Sequence, residues 1–543
     1  MPIEDDANTK AEFYLQAYQH SVSSQPACLG SYVFYWAHKQ EKTHTWYGMF
    51  LPDGSRTPAI DTMSFLWTGH WPTNRCPVLQ GNKLTVLSAV GKAPLRPGVY
   101  LPGTKLDCAI EVSDPDNDPL RITWELRPDV ADNPNVGGDW EPSVEPLPSV
   151  VISTADEGRR AVIQLPPKPG KYRVFVYAHD GRGNATTANM PLLVEYPPIP
   201  AWQPDPLQRE HLRRSLTLLQ TSTPTDRKTV RVLFYGQSIT QQAWWKEIER
   251  YLRSTYTNAN LIIENRAIGG HSSQLLVKTA EADLYPFQPD LLIFHVYGSH
   301  LEYENIIRRV RERTCADILL QTDHITQDVS LTEETDPAKL TPKNWDAWMN
   351  HCFLPATAAK YGACRADIHE LWKAYLQAHH LKAADLLRDG VHLNAHGEWL
   401  MAELLKAYLA PLPPKNGYDP LNEPRVRTVP ASTTAGRDSW QLEFTGTRAD
   451  LVFKPEAKGS VGVLVDGKAP SAIPELYGFT RVSAFPGSDW PVLLRVQAGA
   501  PLLAEDWSMN IEQLSPEGKI CGFSLRGSLT GEDGQGYSTN RFV

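Results

Sequence analysis

The chain has 543 residues, too many for one hydrophobic core, so about three or four domains are expected. Its hydrophobic content of 41% and charged content of 21% are those of ordinary globular protein, and a net charge of −9 leaves no electrostatic footprint for nucleic acid. No apolar run reaches membrane-spanning length, so no membrane partner is expected.

The seven cysteines (Cys28, Cys76, Cys108, Cys315, Cys352, Cys364 and Cys521) lie far apart. None pairs in a CxxC or CxxxH spacing, so no zinc site is expected, and the odd count argues against a full disulfide framework while leaving one or two bridges open. The start, Met1-Pro2-Ile3-Glu4-Asp5-Asp6, is acidic and lacks the apolar core of a signal peptide. The 16 Trp and 21 Tyr suit β-rich cores first and sugar-binding surfaces second.

In residues 1–72 the pattern predicts a helix over 11–20, strands over 31–36 and 46–51, and a helix over 59–66. The run Gly30-Ser31-Tyr32-Val33-Phe34-Tyr35-Trp36, then Lys39-Gln40-Glu41, Thr45-Trp46-Tyr47-Gly48-Met49-Phe50 and Asp53-Gly54, resembles the C-terminal end of a glycoside hydrolase (β/α)8 barrel. The two carboxylates of glycoside hydrolysis would stand on earlier strands, which are absent. Glu41 is the one carboxylate at a suggestive place, and a solvated loop residue is the plainer reading of it. The resemblance implies that this sequence is a piece of a longer protein.

Residues 76–197 change to alternating strands, over 106–112, 120–126, 161–165, 172–178 and 190–195, with Trp124 central in one of them. That pattern predicts an immunoglobulin-type β-sandwich. Asp114-Pro115-Asp116-Asn117-Asp118-Pro119 before the Trp-bearing strand, with Gly170-Lys171-Tyr172 and His179-Asp180-Gly181, resembles Ig-like modules of the polycystic-kidney-disease type. Asp114, Asp116 and Asp118 start like a calcium loop, but no bidentate Glu follows, so a polar turn is expected. A stiff Pro-rich linker and a helix over 210–221 fill 198–228.

Residues 229–412 alternate strand and helix. Strands are predicted over 229–235, 260–264, 290–296, 316–321 and 364–368, and helices over 243–255, 272–281, 301–313, 343–360 and 396–408. Five βα units predict a three-layer sandwich with a parallel sheet, whose ligands bind at the carboxyl ends of the strands. Ser238 follows the first strand, Gly269-Gly270-His271 the second, and Tyr297-Gly298-Ser299-His300 the third. Asp389-Gly390-Val391-His392 precedes the final helix.

This set fits acyl transfer. A serine hydroxyl needs a base to take its proton, and His392 can be that base. Asp389, three residues earlier across a turn, can hold Nδ1–H and fix the tautomer. The Ser238 and Gly270 amides can serve a tetrahedral oxyanion. His271, His295, His324 and His396 carry no assigned chemistry and are read as structural or exposed.

Gly236-Gln237-Ser238-Ile239-Thr240, then Asn265 through Gly270, then Asp389-Gly390-Val391-His392-Leu393 resemble, in order, the blocks of the SGNH (GDSL-type) hydrolase family. The resemblance implies a flavodoxin-like fold, no cofactor, Ser238 as nucleophile with Asp389 and His392, and hydrolysis of esters, often acetyl groups on glycans. With the neighbouring modules it also implies a secreted or periplasmic protein. Two departures stand out. Gln237 replaces the usual Asp of the first block. In the third block Ser299 stands where an Asn amide would complete the oxyanion hole. A general α/β-hydrolase is the rival family, but there the acid and the histidine come from separate loops.

Residues 413–543 return to alternation, with strands predicted over 440–444, 461–465, 492–496, 507–511 and 523–529, a second β-rich domain. The expected function is a serine esterase acting on an acylated glycan. A second reading is a decayed carbohydrate-binding or scaffolding protein, and a third is a glycosidase whose barrel is mostly missing. The acyl group, the sugar and the oligomeric state stay open.

Overall fold

The computed structural model describes residues 1–82, 84–90, 93–131, 144–429 and, beyond these, 442–446, 448–451, 460–473, 478–479, 496–497, 503, 505–516 and 521–537. The chain divides into two compact units, Met1–Pro198 and Ile199–Val543.

In the first unit, strands Thr85–Val90, Lys105–Ala109, Arg160–Gln164 and Val151–Ala155 form one antiparallel sheet. Arg121–Pro128, Gly170–His179 and Ala185–Val194 form a second, to which Val99–Tyr100 adds in parallel. Alternation does what a pleated strand dictates: Leu106 and Cys108 from one sheet meet Trp124, Leu126, Val174, Val176, Leu192 and Val194 from the other in a single buried core. The Trp124 indole N–H donates to the Gly158 carbonyl at 2.7 Å. The Asp114 turn is polar as expected, its Oδ1 accepting the amides of Asp116 and Asp118. Asp116 turns away to accept the Arg75 amide, and Asp180 takes its place beside Asp114 and Asp118.

The N-terminal stretch corrects two expectations. Residues 31–36 form no strand, and Tyr32, Phe34 and Trp36 are exposed, because no edge among the described residues pairs with them. The strands are instead the hairpin His38–Glu41 and Thr43–Gly48. Glu41 is therefore a strand residue, its carboxylate paired with Lys39 and largely buried, and not a solvated loop group. Helices Ala7–Tyr18 and Pro58–Thr68 flank the hairpin, with Ala11, Met49, Ala59 and Met63 at their common core.

In the second unit, five parallel strands lie in the order Asn260–Asn265, Thr229–Gly236, Leu291–His295, Asp317–Gln321, Cys364–Ala366. Both faces are buried. Val230, Val232 and Phe234 meet Trp244, Ile248, Leu400 and Leu404 on one side. Leu233 and Tyr235 meet Leu276, Ile306 and Ile307 on the other. The apolar run of 230–235 is thus the run of a strand covered on both faces. The second and third strands lie on opposite sides of the first, a switch point of the kind at whose carboxyl end such sheets bind ligands.

Helix Ile368–Ala378 was not among the predicted elements, and the predicted helix over 343–360 is a run from Trp345 to Tyr361 interrupted by a π-helical turn, Met349–Phe353. Near the C-terminus, Trp507–Leu514, Cys521–Gly527 and Gly531–Tyr537 form a three-stranded antiparallel sheet. Residues 461–464 are not in a strand, and only a bridge from Val465 to Lys468 closes the expected turn there. Residues 442–444 are not in a strand either, while 440, 441 and 492–495 of the expected strands lie outside the described residues. Cys28, Cys76, Cys108, Cys315, Cys352 and Cys364 are free thiols, so no bridge links any of these six.

Candidate active site

The first strand ends at Gly236 because nothing larger fits. A Cβ there would sit 2.1 Å from the His295 carbonyl oxygen and 2.5 Å from Thr240 Oγ1. The chain turns at Gln237 and enters the short helix Ser238–Gln241, so the Ser238 amide belongs to a first turn and has no intrahelical acceptor. The loop after the second strand is moored beside this turn. The Ile268 amide donates to the Gly236 carbonyl at 2.9 Å, and Asn265 Nδ2 donates to the Thr240 carbonyl at 2.7 Å. Gly269 passes close to the serine, where an added Cβ would be 3.9 Å from Ser238 Cβ. Gly270 follows with φ +75°, a left-handed turn that glycine adopts without strain.

The last loop brings its two residues to the same edge. His392 Nε2 lies 2.9 Å from Ser238 Oγ, and His392 Nδ1 lies 3.0 Å from Asp389 Oδ2. Asp389 is fixed as well as fixing, since its Oδ1 accepts the amides of His392 and Val391 at 2.7 and 2.9 Å. Those amides, with the imidazole behind them, hold its pKa at about 2. It is a carboxylate wherever an imidazole can act as a base. With the tautomer set by the Asp389 contact, Nε2 offers its lone pair to the serine proton. The Asp389 side chain is 50% exposed and that of His392 28%, so the edge is open to solvent.

Two further residues lock this loop: Gln242, which the sequence did not single out, and His324, which it read as structural or exposed. The Gln242 side chain imitates a strand: its Nε2 donates to the Leu393 carbonyl at 2.8 Å and its Oε1 accepts the Leu393 amide at 3.0 Å. His324 Nε2 donates to the Val391 carbonyl at 2.8 Å. Burial holds the His324 pKa down at about 4, so it is a neutral donor there. His324 follows the fourth strand, and only its hydrogen bond to the last loop shows what it does there.

Three other histidines named from the sequence make contacts of their own away from Ser238 Oγ. His295 is buried, with its pKa driven down to about 3 by desolvation. His271 Nδ1 contacts the Gly269 carbonyl at 3.2 Å, and His396 contacts the Tyr375 hydroxyl at 2.7 Å.

The third-block turn is laced to the second loop. The Ser273 hydroxyl donates to the Ser299 carbonyl at 2.8 Å, and the Ser299 amide donates to Gln274 Oε1 at 3.1 Å. Ser299 Oγ caps the helix His300–Arg313 by accepting the Glu302 amide at 3.4 Å. That use of its lone pair leaves the hydroxyl hydrogen available as a donor. His300 stacks between Trp345 and Phe353 and is taken up in that aromatic layer.

No protein-family model matches the chain, and no curated protein sequence matches it. Among solved structures it is similar to a two-domain esterase (CEX) active on acetylated mannans, with 21% identity over 37% of this chain and a TM-score of 0.29. The match spans about half of that esterase, 52% of its length. It is also similar to Axe2, an acetylxylan esterase from Geobacillus stearothermophilus, with 17% identity, 37% of this chain, 99% of that one and a TM-score of 0.29. A third is LAE5, an alpha/beta hydrolase from the metagenome of Lake Arreo, Spain, with 16% identity, 34% of this chain, 98% of that one and a TM-score of 0.28. The chemistry of the site is read from its own side chains.

Proposed function

We propose that the chain is a serine esterase that hydrolyses acyl esters, acetyl foremost, on a polysaccharide or oligosaccharide. The observation that supports this reading is the relay from Ser238 Oγ through His392 to Asp389, at 2.9 and 3.0 Å. His392 Nε2 takes the hydroxyl proton as Oγ bonds to the ester carbonyl carbon, and the carbonyl electrons move to oxygen. The Ser238 and Gly270 amides receive that oxyanion, with the Ser299 hydroxyl as third donor, each worth about 3–4 kcal/mol if well aimed. As the tetrahedral centre collapses, His392 returns the proton to the leaving sugar oxygen. Water, deprotonated by His392, then attacks the acyl-serine; the acyl–Oγ bond breaks, His392 returns the proton to Ser238 Oγ, and the carboxylate leaves.

Residues 229–412 serve in this reading as a flavodoxin-like SGNH domain, 76–197 as an Ig-like sandwich, 1–72 as a barrel-like tail and 413–543 as a β-rich appendage. The open edge suits a polymer better than a small enclosed ester, since Asp389 is half exposed. The glycan and acetyl parts of the proposal come from the family resemblance of the motif blocks.

A decayed, carbohydrate-binding protein is the second reading, favoured by one observation: the third block carries the helix-capping Ser299 and no Asn amide. Release of p-nitrophenol from its acetate, and of acetate from acetylated xylan and mannan, separates the two. Ser238→Ala is expected to lower turnover by roughly 10⁴- to 10⁶-fold. Equal rates for the two proteins would end the esterase reading.

A further inference from the structure

Away from the serine, three side chains from separate elements converge. Glu333 follows the short 3-10 turn Asp328–Thr332, His351 lies in the π-helical turn Met349–Phe353, and His369 is in the first turn of helix Ile368–Ala378. Their ligand atoms all lie within 4.8 Å of one another. Glu333 Oε1 is 2.6 Å from His369 Nε2 and 3.5 Å from His351 Nε2, and Glu370 Oε1 is 3.7 Å from His351 Nε2.

The hydrogen bonds around the cluster say which atoms are free to ligate. His369 Nδ1 faces the Asp323 carbonyl at 3.1 Å and must carry a proton to do so, which turns Nε2 inward. That outer contact is the usual one behind a metal-bound imidazole, fixing both tautomer and ring plane. His351 Nε2 and Glu370 Oε1 are shielded from water, and neither has a hydrogen-bond partner. The His351 side chain is 12% exposed and that of Glu370 44%, but the two unpartnered atoms themselves are covered. A π-helical turn is uncommon and recurs at functional positions, and here it sets the direction of His351.

We propose that Glu333, His351 and His369 bind a divalent transition-metal ion of the zinc type, with Glu370 placed to complete the set. Two imidazole nitrogens with a carboxylate select zinc, cobalt or nickel over magnesium and calcium, which take oxygen ligands. The ion joins the segment between the fourth and fifth strands to the helix after the fifth. It stands one residue away from the catalytic edge in the chain, since His369 contacts the Asp323 carbonyl and the next residue, His324, holds the Val391 carbonyl. The role is structural, and no step of ester hydrolysis passes through it.

The test uses the full chain, stripped with chelator and titrated calorimetrically with zinc chloride, with magnesium and calcium chlorides as controls. A single zinc ion per chain is expected, with no response to magnesium or calcium at this cluster. Glu333→Gln and His351→Gln should each weaken zinc binding by more than about 100-fold, the ceiling for losing an outer hydrogen-bond partner alone. Ser238→Ala should bind zinc as the wild type does, so failure of this inference and failure of the esterase reading are separable. Near-UV circular dichroism checks that the variants fold. If one does not, the visible spectrum of the cobalt-loaded wild type decides, strong for a four-coordinate site and weak for six oxygen ligands. No zinc uptake by the folded chain, wild-type zinc affinity in both variants, or a weak six-coordinate spectrum would overturn the proposal and leave a plain histidine–glutamate ion pair.

Discussion

Two histidine–carboxylate assemblies stand in the second unit, and they are built in opposite ways. At the Ser238 edge Asp389 and His392 are three residues apart, part open to solvent, and held by backbone amides of their own loop. In the cluster, Glu333, His351 and His369 come from three elements and are mostly buried. The first is a local turn that needs only to be docked against Ser238. The second exists only once the segment between the fourth and fifth strands has packed. A reactive group wants access and a preset partner, whereas a structural tie wants convergence and shielding.

The largest expected effect falls on the local assembly. Asp389→Asn keeps an acceptor for the two amides but no longer holds the tautomer, so turnover of p-nitrophenyl acetate should fall by about 10²- to 10⁴-fold while the circular dichroism spectrum is retained. A chelator should do the reverse, lowering the melting temperature by a few degrees and leaving the rate on p-nitrophenyl acetate within about twofold. Were the chelator to abolish turnover, the two assemblies would not be independent.

His324→Leu removes the donor to the Val391 carbonyl while filling the buried space. Turnover should drop by roughly tenfold with little change in KM, because the loop that aims His392 is loosened and binding is not touched. Gln242→Ala breaks two hydrogen bonds to Leu393 and should cost about 1–3 kcal/mol of unfolding free energy in urea, with a smaller loss of activity than Asp389→Asn.

The smallest effect is a titration. The Asp389 pKa of about 2 lies below its unfolded value of about 3.9. A depressed carboxylate contributes stability that is fully present above the unfolded value and is lost as pH falls through the folded one. The difference in unfolding midpoint between wild type and Asp389→Asn should therefore be flat above about pH 4 and shrink toward pH 2. A difference that persists unchanged at pH 2 would mean that the two amides do not hold the carboxylate.

Sequence reading served best where the information is short-ranged. Ser238 could be placed from one apolar run, one glycine and one helix start. Asp389 and His392 were a single tetrad. The alternating strands with Trp124 and Leu126 announced a buried face, and the paired sheets bear that out in their common core. What failed was whatever depends on a partner far along the chain. Residues 31–36 form an apolar run that reads as a strand but have no edge to pair with among the described residues. Glu41 passed for a solvated loop group because the strand it sits on pairs with Thr43–Gly48, and that hairpin shields its side chain. The π-helical turn inside 345–361 follows no hydrophobic period. His351 and His369 carried no signal because their shared carboxylate, Glu333, comes from a loop whose place only packing determines.

The grip of Gln242 on Leu393 has a consequence for how the protein ages under heat. Gln242 directly follows the helix that begins with Ser238, and Leu393 directly follows His392, so Ser238 and His392 are carried on one stiff lever. Fluctuations that separate them must first break both contacts. Deuterium exchange at the Leu393 amide should therefore keep pace with that of the helix Trp244–Thr255 and lag far behind exposed turns such as 415–418. Thermal inactivation would then coincide with melting of the sheet edge, and the protein would lose its chemistry in the same event as its fold.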